Sequence, residues 1–158
     1  TGVQTCALPI SVSAKGGMSR TYSDRIDNRR VSRIAAVLEK HLGLRFSDQD
    51  IYINVAGGMR ISEVGVELAL ALALYSARTG LSLPRHTAVT GEVSLAGEIR
   101  PVSHLKRRIR TASEMGFSQC IAPAGYRGEE EPDEEWIRVT EISECIKRVF
   151  GKQEKGAG

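Results

Sequence analysis

The sequence predicts one α/β domain of mixed α+β character, in which a mixed sheet with an antiparallel hairpin packs around a buried central helix. Three observations predict this class. Strand-like and helix-like patterns alternate along the 158 residues, which is typical of such domains. One apolar segment, residues 62–78, is long enough to form the centre of a core. The hydrophobic content of 41% and the charged content of 26% are those of an ordinary globular chain.

The central segment, residues 62–78, is predicted to be a helix although Leu and Ala alternate within it. Leu and Ala are both strong helix formers, and no β-branched residue follows Val66 in the segment. Strands usually run for about 4–8 residues, whereas this pattern continues for roughly four helical turns. Ser62 is the expected N-cap, and Gly80 is the expected end. A helix that is apolar on all sides must be buried on all sides.

Glu67 interrupts the apolar pattern of this helix. A buried carboxylate needs a cationic or hydrogen-bonding partner. We therefore expect Glu67 to be buried in an ion pair, with Arg60 and Arg108 as the leading candidates for its partner. A role as a general base is the functional alternative, and a structural pair is the favoured interpretation.

The other elements follow from caps, turn residues and alternation. Before the central helix we expect a strand at 10–14, a loop at 15–23, a helix capped by Asp24 or Asp27 and stopped by Gly43, and a strand at 50–56. After it we expect a strand at 87–93, a tight turn at 95–97 and a hairpin partner at 98–102. These are followed by a helix from Ser103 to Met115, a strand at 117–122, an acidic loop at 123–135, a strand at 136–139 and a helix from Thr140 to about Phe150.

The domain itself is predicted to span residues 10–151. Residues 1–9 have neither a basic start nor a continuous apolar run, so no signal peptide is indicated, and we expect them to be a non-native leader. Residues 152–158 are expected to form a disordered tail. The apolar run at 62–78 is too short for a comfortable membrane span, so no membrane contact is expected.

The sequence carries no recognisable metal or nucleotide motif. The three cysteines are odd in number and lack CxxC spacing, and the three histidines are isolated from them. A zinc site or a disulfide framework is therefore not expected, and a reducing cytoplasm fits best. The phosphate-binding pattern GxxxxGK[ST] is also absent, so we expect no ATP site and no cofactor in this chain.

Basic residues cluster on two predicted helices. On the first helix four arginines recur at offsets of 0, 4, 5 and 8 residues, so they share one face. A solvated face is the commoner outcome for a charge run, and phosphate contact is the functional interpretation. No aromatic platform is expected near these residues, so contact with DNA would be electrostatic and without base specificity. The candidate DNA contacts are Arg25, Arg29, Arg30 and Arg33 on the first helix, and Lys106, Arg107 and Arg110 on the third.

The stretch TGEVSLAGEIRPV at 90–102, the central helix and FSQCIAPAG at 117–125 together resemble the proteolytic domain of Lon-type proteases. In that family a serine near the start of the central helix is the nucleophile, and a lysine of the third helix activates it. By position these residues fall on Gly65 and Arg108. Glycine offers no nucleophile, and arginine stays protonated at any working pH. The resemblance therefore implies the Lon fold with a degenerate dyad and no catalytic residues.

A closer resemblance spans about residues 19–150. The stretches at 27–44, 47–63, 91–102 and 112–124 are similar to the C-terminal Lon-like domain of the RadA (Sms) family of bacterial DNA-repair proteins. That family lacks the Lon dyad, as this chain does. Its complete members also carry a four-cysteine zinc motif and a RecA-like ATPase, so this sequence is expected to be a C-terminal fragment.

The resemblance implies a role in DNA repair. For a complete family member it implies ATP-driven branch migration, single-stranded or branched DNA as partner, a hexameric ring, and ATP, Mg and Zn bound only outside this region. For this region it implies a non-enzymatic DNA-binding and oligomerisation scaffold. Two alternatives remain: a Lon-type Ser-Lys endopeptidase domain, and a purely structural assembly domain. The sequence does not separate DNA binding from assembly, because arginines also serve subunit interfaces.

Overall fold

Four helices and eight strands alternate along the chain in a computed structural model, which describes residues 7–14, 18–55, 62–126 and 130–156. The first half contains β1 (Ala7–Ser13), β2 (Thr21–Ser23), α1 (Asn28–Leu42), β3 (Gln49–Val55), a 3₁₀ turn (Val64–Val66) and α2 (Glu67–Thr79). The second half contains β4 (Thr87–Val89), β5 (Glu92–Val93), β6 (Ile99–Arg100), α3 (Leu105–Glu114), β7 (Gln119–Pro123), β8 (Ile137–Val139) and α4 (Ile142–Gly156).

The strands form three small sheets. In the first, with the order β1-β3-β2, β1 is antiparallel and β2 parallel to β3. The second is a parallel sheet in the order β4-β7-β8. The third is the antiparallel hairpin β5-β6. The predicted α/β class, the mixed sheet and the antiparallel hairpin are confirmed, and the described strands are divided among three sheets.

The division arises where the predicted strand 87–93 breaks at Thr90 and Gly91. The Gly91 N–H donates to the Gly65 carbonyl at 2.9 Å, and the Leu68 N–H donates to the Gly91 carbonyl at 3.0 Å. A Cβ built on Gly91 would lie 3.1 Å from side-chain atoms of both Leu68 and Ile99. The chain therefore passes too close to α2 for a side chain, and its backbone bonds to α2 instead of continuing β4.

The central helix α2 is buried as predicted. Leu68, Leu72 and Leu74 are among the largest fully buried side chains of the described residues, and α2 packs on β1, α1 and β5. The helix begins at Glu67 rather than at the predicted Ser62, because the preceding 3₁₀ turn is tied to residues 90–91. It ends as predicted at Gly80, which adopts the left-handed conformation with φ of 76°.

The first helix follows its local signals. The Asp27 carboxylate accepts from the Arg29 backbone N–H at 2.9 Å and caps α1, and Gly43 closes it with φ of 68°. The cap of α3 differs, because His104, with φ of 57°, precedes the helix in place of the predicted Ser103. No helix among the described residues is long and apolar enough to cross a membrane.

Three segment assignments are corrected. Strand β1 starts at Ala7, where it pairs with Val55, so residues 7–9 of the expected leader belong to the fold. Strand β2 lies inside the predicted loop at 15–23, because it pairs in parallel with β3. Helix α4 continues to Gly156, whereas 152–158 was expected to be disordered. Residues 152–155 are Lys, Gln, Glu and Lys, all good helix formers.

Candidate functional site

Gly65 and Arg108, the two positions matched to the Lon dyad, lie next to each other. A Cβ built on Gly65 would be 3.1 Å from Nη1 of Arg108 and 3.2 Å from Oγ1 of Thr90. The Gly65 carbonyl accepts from the Thr90 hydroxyl at 3.2 Å and from the Gly91 N–H at 2.9 Å. The 3₁₀ turn before α2 and the first turns of α3 thus face each other across this point.

The side chain of Arg108 is held by an ion pair. Its guanidinium donates to the Glu63 carboxylate and, through Nε, to the Ser103 carbonyl at 2.7 Å. A Cβ at Gly65 would lie 2.8 Å from Oε1 of Glu63, so the space that a residue-65 side chain would need is already taken. This arrangement holds neither a nucleophile at residue 65 nor a neutral base at residue 108.

A second cluster surrounds Glu67, whose side chain is only 1% exposed. Arg33 donates to its carboxylate, Nε of Arg30 lies 3.8 Å from the same oxygen, and the Val93 N–H donates to the other oxygen at 3.3 Å. Arg33 also donates to the Val93 carbonyl at 3.1 Å. The cluster therefore joins α1, α2 and β5 through one carboxylate.

The described partners of Glu67 are two arginines that the sequence did not single out as its partners. The carboxylate is buried and paired with cations, but these come from α1. Arg108 pairs with Glu63 instead, and Arg60 lies outside the described residues. Sequence reasoning missed the pairing because the arginines of α1 had been placed on a solvent face. The four-residue periodicity shows which residues share a face and does not show where that face points.

The four arginines predicted to share one face of the first helix lie in different environments in the structure. Arg30 donates to the carbonyls of Ser62 and Glu63, both at 3.0 Å, and Arg33 pairs with Glu67. Both guanidinium groups are therefore engaged within the chain, and their contact with DNA stays a prediction. Arg25, which precedes α1, pairs with an exposed aspartate, Asp24, at 3.4 Å. Arg29 is exposed and forms no ion pair among the described residues.

The basic cluster of α3 is partly neutralised by residues 130–134. Nζ of Lys106 lies 2.8 Å from the Glu130 carboxylate and 3.5 Å from that of Asp133. Arg110 lies 3.4 Å from Asp133 and 3.8 Å from Glu134. The hydrogen bond between Lys106 and Glu130 raises the pKa of Lys106 and lowers the pKa of Glu130.

Arg107 is the exception on α3. It is exposed and makes no ion pair within the part of the chain that the structure describes. Among the predicted DNA contacts, only Arg29 and Arg107 therefore present guanidinium groups that no carboxylate of the described residues neutralises.

An exposed aromatic pair lies on the outer face of the first sheet and was not anticipated. Tyr22 of β2 and Tyr52 of β3 stack with ring centroids 4.8 Å apart and an angle of 8° between the rings. Arg20 donates to the Tyr22 hydroxyl at 3.4 Å. The alternation of β3 predicts that Tyr52 points away from the core, but β2 lies in a predicted loop, so its partner was not visible in the sequence.

The two described cysteines, Cys120 and Cys145, are buried. Burial raises the pKa of Cys120 to about 11 and that of Cys145 to about 12, so both remain inert thiols at neutral pH. No group of His, Cys, Asp and Glu that could hold a metal ion occurs among the described residues.

Residues 23–125 match the family model described as ChlI, subunit ChlI of Mg-chelatase. The match covers well over half of the chain, which therefore belongs to this family.

Its curated relatives include proteins called DNA repair protein RadA. The RadA of Treponema pallidum is 50% identical over 143 residues, which are 90% of this chain and 31% of that protein. The RadA of Brucella abortus is 46% identical over 99 residues, 63% of this chain and 21% of the relative. That of Escherichia coli is 41% identical over 108 residues, 68% of this chain and 24% of the relative. The chain thus spans less than a third of the length of these relatives.

The Glu67 cluster generates a stability prediction. We expect Glu67→Gln to lower the free energy of unfolding by about 3 kcal/mol, because two arginines would lose the carboxylate that compensates them. Glu63→Gln is the matched control. Its carboxylate is 56% exposed, so its loss should cost less than about 1 kcal/mol. Urea unfolding of both variants measures the difference, and equal costs would contradict the assigned role of Glu67.

Proposed function

We propose that this chain is a non-proteolytic, Lon-like domain of a RadA-type DNA repair protein and acts there as a DNA-binding and oligomerisation scaffold. The single observation that carries the proposal is the 50% identity to a protein called DNA repair protein RadA across 90% of the chain. The Lon-like character rests on the motifs at 90–102 and 117–125, with the adjacency of Gly65 and Arg108 in support.

The wider roles are proposals for the longer protein to which such a domain would belong. ATP-driven branch migration, a hexameric ring and sites for ATP, Mg and Zn would reside outside this chain or require its assembly. For the domain itself we propose single-stranded or branched DNA and further copies of the protein as partners, no cofactor, no membrane contact and a cytoplasmic location.

The electrostatic contribution to DNA binding is assigned to Arg29 and Arg107. Both are exposed and without an ion pair among the described residues, so both can neutralise a phosphate without first losing a partner. Arg30 and Arg108, their neighbours in sequence, both reach the segment formed by Ser62 and Glu63. The basic ends of α1 and α3 thus flank the same segment.

A purely structural assembly domain is the second candidate. One observation favours it: Lys106 and Arg110, two of the predicted DNA contacts, already pair with carboxylates of their own chain. If all basic residues served folding or subunit contacts, the domain would assemble without binding DNA.

Salt-dependent binding to DNA tests the proposal. We expect the purified chain to bind DNA with an affinity that falls steeply as salt rises, because phosphate neutralisation releases counterions. Arg29→Gln and Arg107→Gln should each weaken binding for all sequences and lower the salt slope by about 1. Arg45→Gln removes an exposed arginine beyond the opposite end of α1 and is the control. Normal binding by both test variants would favour the assembly domain.

The acidic segment generates a second test on α3. Glu130→Gln should raise DNA affinity, because it removes the nearer of the two carboxylates that pair with Lys106. Glu131→Gln removes the same charge from the same segment, but Glu131 pairs with Arg138 at 2.9 Å. In a titration of labelled DNA at low salt, Glu130→Gln should therefore bind more tightly than Glu131→Gln, although both variants lose the same charge. Equal affinities would show that Lys106 takes no part in binding.

The degenerate dyad predicts that the chain does not hydrolyse peptides. We expect no turnover of an unfolded protein substrate and no labelling of Ser62 by a serine-reactive probe, because residue 65 has no hydroxyl and Arg108 stays protonated. An active Lon-type protease serves as the positive control for substrate and probe. Turnover that survives Ser62→Ala as well would point to a nucleophile elsewhere in the chain.

A further inference from the structure

The outer face of the β1-β3-β2 sheet exposes an unusual number of large apolar side chains. Tyr22 is 43% exposed, Tyr52 38% and Ile10 57%. The strand pairing sets these residues in one row, because Tyr52 lies opposite Tyr22 on one side and opposite Ile10 on the other. Contiguous patches of exposed apolar side chains are uncommon on monomeric proteins, and they often mark binding sites.

The two tyrosines line an open depression of about 620 Å³. Asn28 and Asn54 also line it, and their side-chain amides can both donate and accept hydrogen bonds. The tyrosine rings are nearly parallel, so a further flat ring can extend the stack on an outer face of the pair. Aromatic stacking beside amide groups is the chemistry that binds unpaired nucleobases.

The charges around the depression fit the backbone of a nucleic acid. Asp24 pairs with Arg25 at 3.4 Å, and Asp50 accepts from the Arg20 backbone N–H at 2.9 Å. Each of these carboxylates therefore has one partner, and Asp24 also lines the depression. The guanidinium groups of Arg20 and Arg29, in contrast, form no ion pair among the described residues, and each can neutralise a phosphate. Arg20 contacts the Tyr22 hydroxyl, and Arg29 follows Asn28, which lines the depression.

We propose that this face, defined by Tyr22, Tyr52, Asn28, Asn54 and Arg20 and named here the tyrosine platform, binds single-stranded nucleic acid by stacking at least one base on the tyrosine pair. The proposal rests on the proposed function, in that the partner is again a nucleic acid. It adds a site that requires unpaired bases, whereas Arg29 and Arg107 require phosphates alone. Stacking tolerates any base sequence, because every base has an aromatic face.

The experiment compares an oligothymidine of about ten nucleotides, within the site size of single-strand binders, with an abasic oligomer of equal length and charge. The parent chain should bind the oligothymidine more tightly. Tyr22→Leu and Tyr52→Leu should each lower that affinity at least about fivefold and leave affinity for the abasic oligomer unchanged. Tyr22→Phe and Tyr52→Phe, which keep the ring, should bind like the parent.

Tyr126→Leu is the matched control, because Tyr126 is exposed to 38%, as Tyr52 is, and lies outside the tyrosine platform. Thermal unfolding establishes that the leucine variants are folded. If the parent binds both oligomers equally, or if the leucine variants bind the oligothymidine normally, the platform is overturned while the proposed function stands. If the parent chain binds neither oligomer, both the tyrosine platform and the proposed DNA binding are contradicted. Self-association that the leucine variants abolish without changing oligothymidine binding would make this face a contact between copies.

Discussion

The ion pair between the buried Glu67 carboxylate and the arginines of α1 is the constraint on which the rest of the structure depends. Glu67 begins α2 and bonds to the backbone of β5, while Arg33 reaches both Glu67 and the carbonyl of Val93. Arg30 extends the same network to the carbonyls of Ser62 and Glu63. A buried carboxylate is costly unless its lone pairs are satisfied, so α1, α2 and β5 have to meet in this one arrangement.

Because arginines of α1 take part in this network, fewer cationic groups are left that could contact DNA. Arg30 and Arg33 are engaged in the fold, and on α3 the carboxylates of residues 130–134 pair with two more cations. The net charge of the chain is only +3, so the proposed binding would depend on a few exposed groups rather than on a broad positive field. The exposed tyrosines would add a stacking contribution that salt does not screen.

Local signals in the sequence were sufficient to predict most of the helices and strands. The Asp27 cap, the Gly43 and Gly80 ends and the β5-β6 hairpin each follow from neighbouring residues. The break at Gly91 could not be predicted, because it arises from the close approach of α2 to a distant segment. The same limit applied to the site. The burial of Glu67 followed from its place in an apolar helix, whereas its observed partners depended on which face of α1 turns inward.

Gly65 and Arg108, the two positions matched to the Lon dyad, are also close neighbours in the structure. The point where a Cβ of residue 65 would lie is 2.8 Å from Glu63 and 3.1 Å from Arg108, and these two side chains are paired with each other. A serine at residue 65 would therefore require the Glu63 carboxylate, the far end of a flexible and half-exposed side chain, to shift. The ion pair thus lies at the point where a side chain of residue 65 would begin, and glycine at this position leaves the pair undisturbed.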